Sequence, residues 1–370
     1  MALTKETRDG TDINPSIVIY QQLIHAKMDT LDCPCADVSV KYKSFININT
    51  SFHQVCSSDF IGKKWIRYLY GSGITKYHER SDIRVRGSGY FDYISMLCSI
   101  SQKNIETTIT RFLDTSSINN QIMPKTQFDD QMKLVFQQLV ASTSKGFSRE
   151  LQLVHQISER NSFVSSYFLN WKWLPDDTDS YKLITPIPIT LNGGCSCAIR
   201  SDCSEEGGIY RSFSGEKIFT MPGLRVACSV VETVLQTTLE CLYNQTCVDT
   251  LQFYAATVSV SLNNYTNVTA MDSKLRSRFQ MNSTIRDLVD EQFIEEWYTD
   301  ASYQTFYEKC LPSFCSYTWK AYPSFLFILS KGLGLYGGST VALKFCVPYS
   351  ILLYNIVKNR FFKNTVAPSS

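Results

Sequence analysis

Apolar positions along this chain recur on a helical period wherever a pattern is legible. Met132, Val135, Phe136, Leu139 and Val140 repeat at i, i+3, i+4, i+7 and i+8, and Leu151, Val154 and Ile157 continue a second helix after Gly146. The same spacing predicts helices near 16–30, 58–70, 90–114, 229–244 and 284–297. In the last, Ile285, Leu288, Val289 and Phe293 lie on one side and Asp287, Glu291 and Glu295 on the other, and Thr284 with Asp287 approximates a capping box. Between 178 and 228 the texture changes to Pro, Gly, Ser and Cys, with KLITPIPIT and GIYRSFSGEKIFT as short strands. The expected fold class is mainly α, with a small, disulfide-bridged β/loop region at the centre and a carboxy-terminal transmembrane helix.

The longest apolar run, 324–357, is interrupted only by Lys331 and Lys344 among charged residues. At about 1.5 Å per helical residue it would reach roughly 50 Å, so only part of it can cross a hydrocarbon core of about 30 Å. Lys358, Arg360 and Lys363 follow, and the positive-inside tendency puts that tail in the cytoplasm. Lys331 can snorkel outward, whereas Lys344 sits deeper, at about 2.5–3.5 kcal/mol if central. Gly334 and Gly338 form a small-xxx-small pair beside Gly337 and Ser339, which reads first as a face for helix packing and homo-oligomerisation, and second as a pore constriction. Pro348 removes the donor for the Lys344 carbonyl, so a kink or the end of the straight span is expected there.

The cysteines fix the expected side of the membrane. Cys33, Cys35, Cys56 and Cys98 precede residue 178, and Cys195, Cys197, Cys203, Cys228, Cys241, Cys247, Cys310 and Cys315 follow it; Cys346 falls inside the apolar run. Both sets are even, so each lobe is able to close its own bridges, while the tight Cys33–Cys35 and Cys195–Cys197 spacings send each member elsewhere. Five acceptor tripeptides for N-glycans, at Asn49, Asn244, Asn264, Asn267 and Asn282, lie among them. The layout expected is a polar segment 1–14, a helical lobe 15–177, a cysteine-rich lobe 178–322, the membrane region 324–357 and a basic cytoplasmic tail 358–370. The opening MALTKETRDGTDINPS holds no signal-peptide core, so the expectation for an oxidising location is an upstream transmembrane or signal segment that carries the cysteines across.

Composition excludes little else. A net charge of +2 and the absence of basic clusters interleaved with aromatics argue against nucleic acid as a partner. The four histidines, His25, His53, His78 and His155, are far apart and fit no H-E-x-x-H frame; no nucleophile elbow, Walker loop or dinucleotide fingerprint occurs. No catalytic residue, metal site or cofactor is assigned. The carboxylates Asp287, Asp290, Glu291, Glu295 and Glu296 read as a solvated helix face, or as a cation-concentrating ring if subunits gather above a pore.

Several strings together, FHQVCSSDF at 52–60, TLECLYNQTCVDTL at 238–251, FIEEWY at 293–298 and YEKCLPSFCSYT at 307–318 leading into GLYGGST, resemble a family of invertebrate membrane proteins. The resemblance implies a two-span surface protein with a large extracellular domain and no established activity. A more distant likeness is to degenerin and epithelial sodium channel subunits, carried by Gly337-Gly338-Ser339 and by Cys310 to Cys315 before Tyr317 and Pro323. That likeness implies a disulfide-rich glycosylated ectodomain and a filter in the second span, although Lys344 stands where such channels carry an acidic residue. The function expected is a non-enzymatic, plasma-membrane glycoprotein whose extracellular bulk binds a ligand or protein, held by the lipid bilayer; the alternative is a subunit of an oligomeric ion channel with 332–343 lining the pore.

Overall fold

The computed structural model describes residues 5–26, 28–73, 79–160, 170–175, 184–191, 193–211, 214–256, 268–322 and 324–363. Helices make up most of its regular structure: α1 (Ile17–His25), α2 (Lys63–Gly73), α3 (Ile83–Asp114), α4 (Lys125–Arg160), α5 (Val230–Gln236), α6 (Gln245–Ala256), α7 (Ile285–Asp290), α8 (Tyr303–Cys310) and α9 (Phe325–Lys363). The strands are β1 (Glu6–Ile13), β2 (Thr30–Asp32), β3 (Ser39–Lys41), β4 (Ile46–Phe52), β5 (Ser116–Ile118), β6 (Trp171–Pro175), β7 (Ile184–Pro188), β8 (Ser204–Tyr210), β9 (Lys217–Ala227), β10 (Ile294–Ala301) and β11 (Phe314–Ala321). The mainly α reading agrees with this. β structure, however, is not confined to the centre: β1, β2 and β11 form a sheet from the two ends of the chain, and β4 pairs with β10.

The chain divides into two compact units that alternate along the sequence. The first comprises 1–38, 119–124 and 310–370; the second comprises 39–118 and 125–309, and neither begins or ends near residue 178.

The first unit is built on the antiparallel order β1-β11-β2, with Glu6 opposite Ala321 and Ile13 opposite Phe314. Gly10 faces Tyr317, and a Cβ at Gly10 would come within 2.7 Å of that ring, so glycine is what lets the aromatic ring lie across β1. Ser16 caps α1 by accepting from the Ile19 amide at 3.4 Å, and the buried Tyr20 donates its hydroxyl to the Ile122 carbonyl at 3.1 Å, tying 119–124 to the rest.

In the second unit the core gathers where α2, α3, α5 and α7 meet. Phe60, Trp65, Phe91, Ile94, Leu97, Val234, Leu288 and Phe293 are almost fully buried there, and the Cys56–Cys98 disulfide crosses the same cluster. Trp65 meets Phe91 edge to face with ring centroids 5.8 Å apart.

Three local expectations change. α4 does not break at Gly146, where a Cβ would meet nothing within 4 Å; Leu139, Thr143 and Phe147 keep one face buried across it, which outweighs the roughly 1 kcal/mol that glycine costs inside a helix. The expected helix at 284–297 stops at Asp290, although its Thr284–Asp287 capping box is present. Gln292 and Phe293 adopt φ of +52° and +57°, and the chain turns into β10 because burying Phe293 beneath α7 requires that reversal. Finally, of the two outcomes expected at Pro348, a kink or the end of the straight span, the helix does not end there: α9 runs on to Lys363.

Candidate functional site

The most distinctive local arrangement is the base from which α9 departs. Cys33 and Cys35 flank one edge of it, and they pair with Cys315 and Cys310 respectively. This overturns the expectation that each lobe closes its own bridges: two of the four early cysteines join the end of the chain. The reason lies in the sheet, since β11 pairs with both β1 and β2 and so brings residues about 280 positions apart into adjacent strands. The avoided Cys33–Cys35 and Cys195–Cys197 pairings are indeed absent; the remaining bridges are Cys56–Cys98, Cys195–Cys203, Cys197–Cys228 and Cys241–Cys247, and Cys346 is free and exposed.

From Ala321 the chain passes almost directly into α9, the one helix among the described residues long and apolar enough to cross a membrane. None of its apolar window is buried by the rest of the chain. At about 1.5 Å per residue its 39 residues reach roughly 58 Å, so the helix projects beyond any single hydrocarbon core. Aromatic and cationic groups precede it: Lys5 lies 5.1 Å from the Tyr322 ring centre, and the Tyr317 and Trp319 rings sit 5.8 Å apart on β11. Such amphipathic rings suit a head-group layer. Gly334, Gly337, Gly338, Ser339 and Lys344 all lie exposed on α9, and a Cβ at any of the three glycines would touch nothing within 4 Å. Nothing among the described residues therefore requires glycine at those positions.

The acceptor asparagines that can be placed are all exposed. Asn49 lies on β4 opposite Tyr298, Asn282 precedes α7, and Asn244 precedes α6. Asn244 Oδ1 accepts from the Cys247 amide at 3.3 Å, which caps α6 and leaves its Nδ2, the atom a glycan would take, unused by that bond. Asn264 and Asn267 lie outside the described residues.

The carboxylates singled out before the span do not share one helix face, because β10 interrupts them. Asp287 closes the capping box, Glu291 pairs with Arg278 at 3.3 Å, and Glu295 accepts from Ser277 Oγ at 2.7 Å and the Arg278 amide at 2.9 Å. Glu295 also approaches a centre that spacing gave no sign of. His53 is only 2 % exposed; its Nδ1 accepts from the Val55 amide at 3.2 Å, so Nε2 carries the proton toward the Tyr243 hydroxyl at 2.9 Å. Burial holds the His53 pKa below its ordinary value, against a smaller opposing pull from Glu295 3.9 Å away, so this contact is not an ion pair at neutral pH. The partners are separated by 190 positions in sequence, which no local pattern reveals.

Two hollows mark the second unit. One of about 830 Å³ lies between α4, α5 and α7, where Arg286 bridges the buried Glu232 at 2.8 Å and Lys145, Arg149 and Asp290 line the wall. The other, about 720 Å³, separates α4 from β10 and is lined by Met132, Phe136, Val140 and Trp297. The periodic stripe read on α4 thus divides: Met132 and Leu139 are buried, and Phe136 and Val140 remain half-buried along this groove.

No protein-family model, curated protein or solved structure matches the chain.

Proposed function

We propose that this protein is a membrane-anchored cell-surface glycoprotein whose disulfide-braced bulk lies outside the cell and binds an extracellular ligand or protein, without enzymatic activity. One observation carries the reading: an apolar helix long enough to span lies wholly uncovered by the chain that bears it, and it follows at once from a sheet fastened by two disulfides. Disulfides persist in oxidising compartments, and an uncovered apolar helix of this length is at home in lipid. The exposed Asn49, Asn244 and Asn282 suit glycan attachment, and the two hollows of the second unit suit ligand capture. The test is protease protection with endoglycosidase treatment of microsomes. The expected result is a protected, sugar-bearing bulk; complete digestion without removal of the microsomal membrane, with no mobility shift on deglycosylation, refutes it.

A second reading, a subunit of an oligomeric two-span channel, gains support from the register of β1 on β11. Glu6 lies opposite Ala321, so a chain arriving from an earlier span would emerge beside the start of α9, as a paired-span subunit requires. Under this reading voltage-clamped cells bearing the protein at the surface pass current, and Ser339→Trp abolishes it. Surface delivery without current discards it.

A further inference from the structure

Lys344 occupies an unusual place on α9. It lies thirteen residues beyond Lys331 and fourteen before Lys358, so about 20 Å of helix separates it from the flanking cation on either side. A hydrocarbon core of about 30 Å centred between those cations leaves Lys344 near the midplane, about 15 Å from either head-group layer and beyond the reach of a lysine side chain. Helical side chains lean toward the amino end, as Lys331 does in placing Nζ 4.3 Å from the Phe327 ring centre. For Lys344 that direction still leads through the depth of a whole leaflet.

The residues around it are arranged to receive another helix. Ser330, Gly334, Gly337, Val341, Lys344 and Pro348 recur at alternating steps of four and three, which aligns them in one stripe along the helix. The glycines of the stripe are open: beyond the helix's own backbone, nothing among the described residues lies within 4 Å of where a Cβ would stand. Pro348 lacks the amide that would otherwise bond the Lys344 carbonyl, so a cation and an unsatisfied acceptor occupy the same turn. A second copy of the chain does not answer this chemistry: from Phe325 to Lys363 the helix contains no Asp or Glu, and symmetric packing on this stripe sets one Lys344 against another.

We infer that the stripe through Gly337 and Lys344 is the docking surface for a different transmembrane helix, one bearing an Asp or Glu at mid-depth, whose carboxylate accepts from the Lys344 ammonium. This inference rests on the membrane reading above. An ionised group in lipid pairs or lines water, and small residues on the same stripe let a partner backbone come close enough for a short aspartate to reach.

The test uses the full chain reconstituted in phosphatidylcholine vesicles, with a dye on an appended carboxy-terminal tag. The probes are labelled synthetic polyleucine spans with Asp, Leu or Lys at the centre, and association is followed by energy transfer. The Asp span is expected to bind roughly ten-fold more tightly than the Leu span, and the Lys span no better than Leu. Lys344→Leu is expected to erase the preference, and Gly337→Leu to weaken Asp-span binding several-fold while the Asp-over-Leu order persists. Equal binding of Asp and Leu spans, or a preference that survives Lys344→Leu, overturns the inference. So does self-association through α9 with Lys344 open to a membrane-impermeant amine reagent, which would assign it to a water-lined homo-oligomer. Alkaline carbonate extraction of the same vesicles separates the levels: a chain that washes off refutes both this inference and the membrane reading, whereas an embedded chain that does not discriminate refutes the inference alone.

Discussion

Removing either of the two parallel bridges at the base should cost about 2.5 kcal/mol, and removing both about three times as much. Cys33–Cys315 and Cys35–Cys310 close loops of 282 and 275 residues. In the chain-entropy treatment the first closure of a loop that long disfavours the unfolded state by about 5.5 kcal/mol. Once it exists, the second closes only the small ring defined by Cys33 and Cys35, two apart, and Cys310 and Cys315, five apart. That adds about 2.5 kcal/mol. The paired variant Cys33→Ser/Cys315→Ser, and equally Cys35→Ser/Cys310→Ser, is therefore expected to lose about 2.5 kcal/mol, and the quadruple variant about 8 kcal/mol. Guanidinium unfolding of the detergent-solubilised full chain under non-reducing conditions, followed by tryptophan fluorescence, reads all four proteins, because Trp65 is buried in the second unit. Simple additivity, or a loss above about 5 kcal/mol for one pair alone, refutes the reasoning and assigns the effect to native packing around the bridges.

Acid should weaken the fold through His53. Its pKa is lowered by burial, so the stability it contributes is complete above the ordinary imidazole value near 6.5 and is lost as pH falls through the lower folded value. Thermal midpoints measured across that window should fall in the wild type and flatten in His53→Gln; parallel curves contradict the assignment. At Asn244 two substitutions separate sugar from structure: Thr246→Ala should remove one endoglycosidase-sensitive mass step with stability intact, whereas Asn244→Ala should remove the step and also about 1 kcal/mol of capping. Equal stabilities of the two would show that the cap does not matter. Gly208→Ala should destabilise the second unit by at least about 2 kcal/mol, since the new methyl group runs into the Phe219 backbone carbonyl across the β8–β9 pair; an unchanged denaturation midpoint would refute that packing.

Helical periodicity was legible where one face meets a core, as on α4, and the capping box before α7 was legible because its two partners are three residues apart. The apolar run announced α9 by composition alone. What escaped the sequence depends on partners far apart in the chain. β1 is polar enough to read as loop, and it becomes a strand only because β11 is present to exchange hydrogen bonds with it. The His53 centre needs Tyr243 and Glu295 from two later segments. At 292 and 293, tertiary burial overrode a good amphipathic pattern by forcing positive φ. With Cys346 left out, the cysteine count was even on both sides of 178, and evenness carries no information about which strands will stand side by side.

The bridges at the base also decide where tension can travel. A pull between β1 and α9 is shared by the β1–β11 hydrogen bonds and the two sulfur bridges, and the chain between Cys35 and Cys310 lies outside that path. Force applied at α9 is thus held within the first unit, and treatment with a reductant leaves only the hydrogen bonds among β1, β11 and β2 to hold it there.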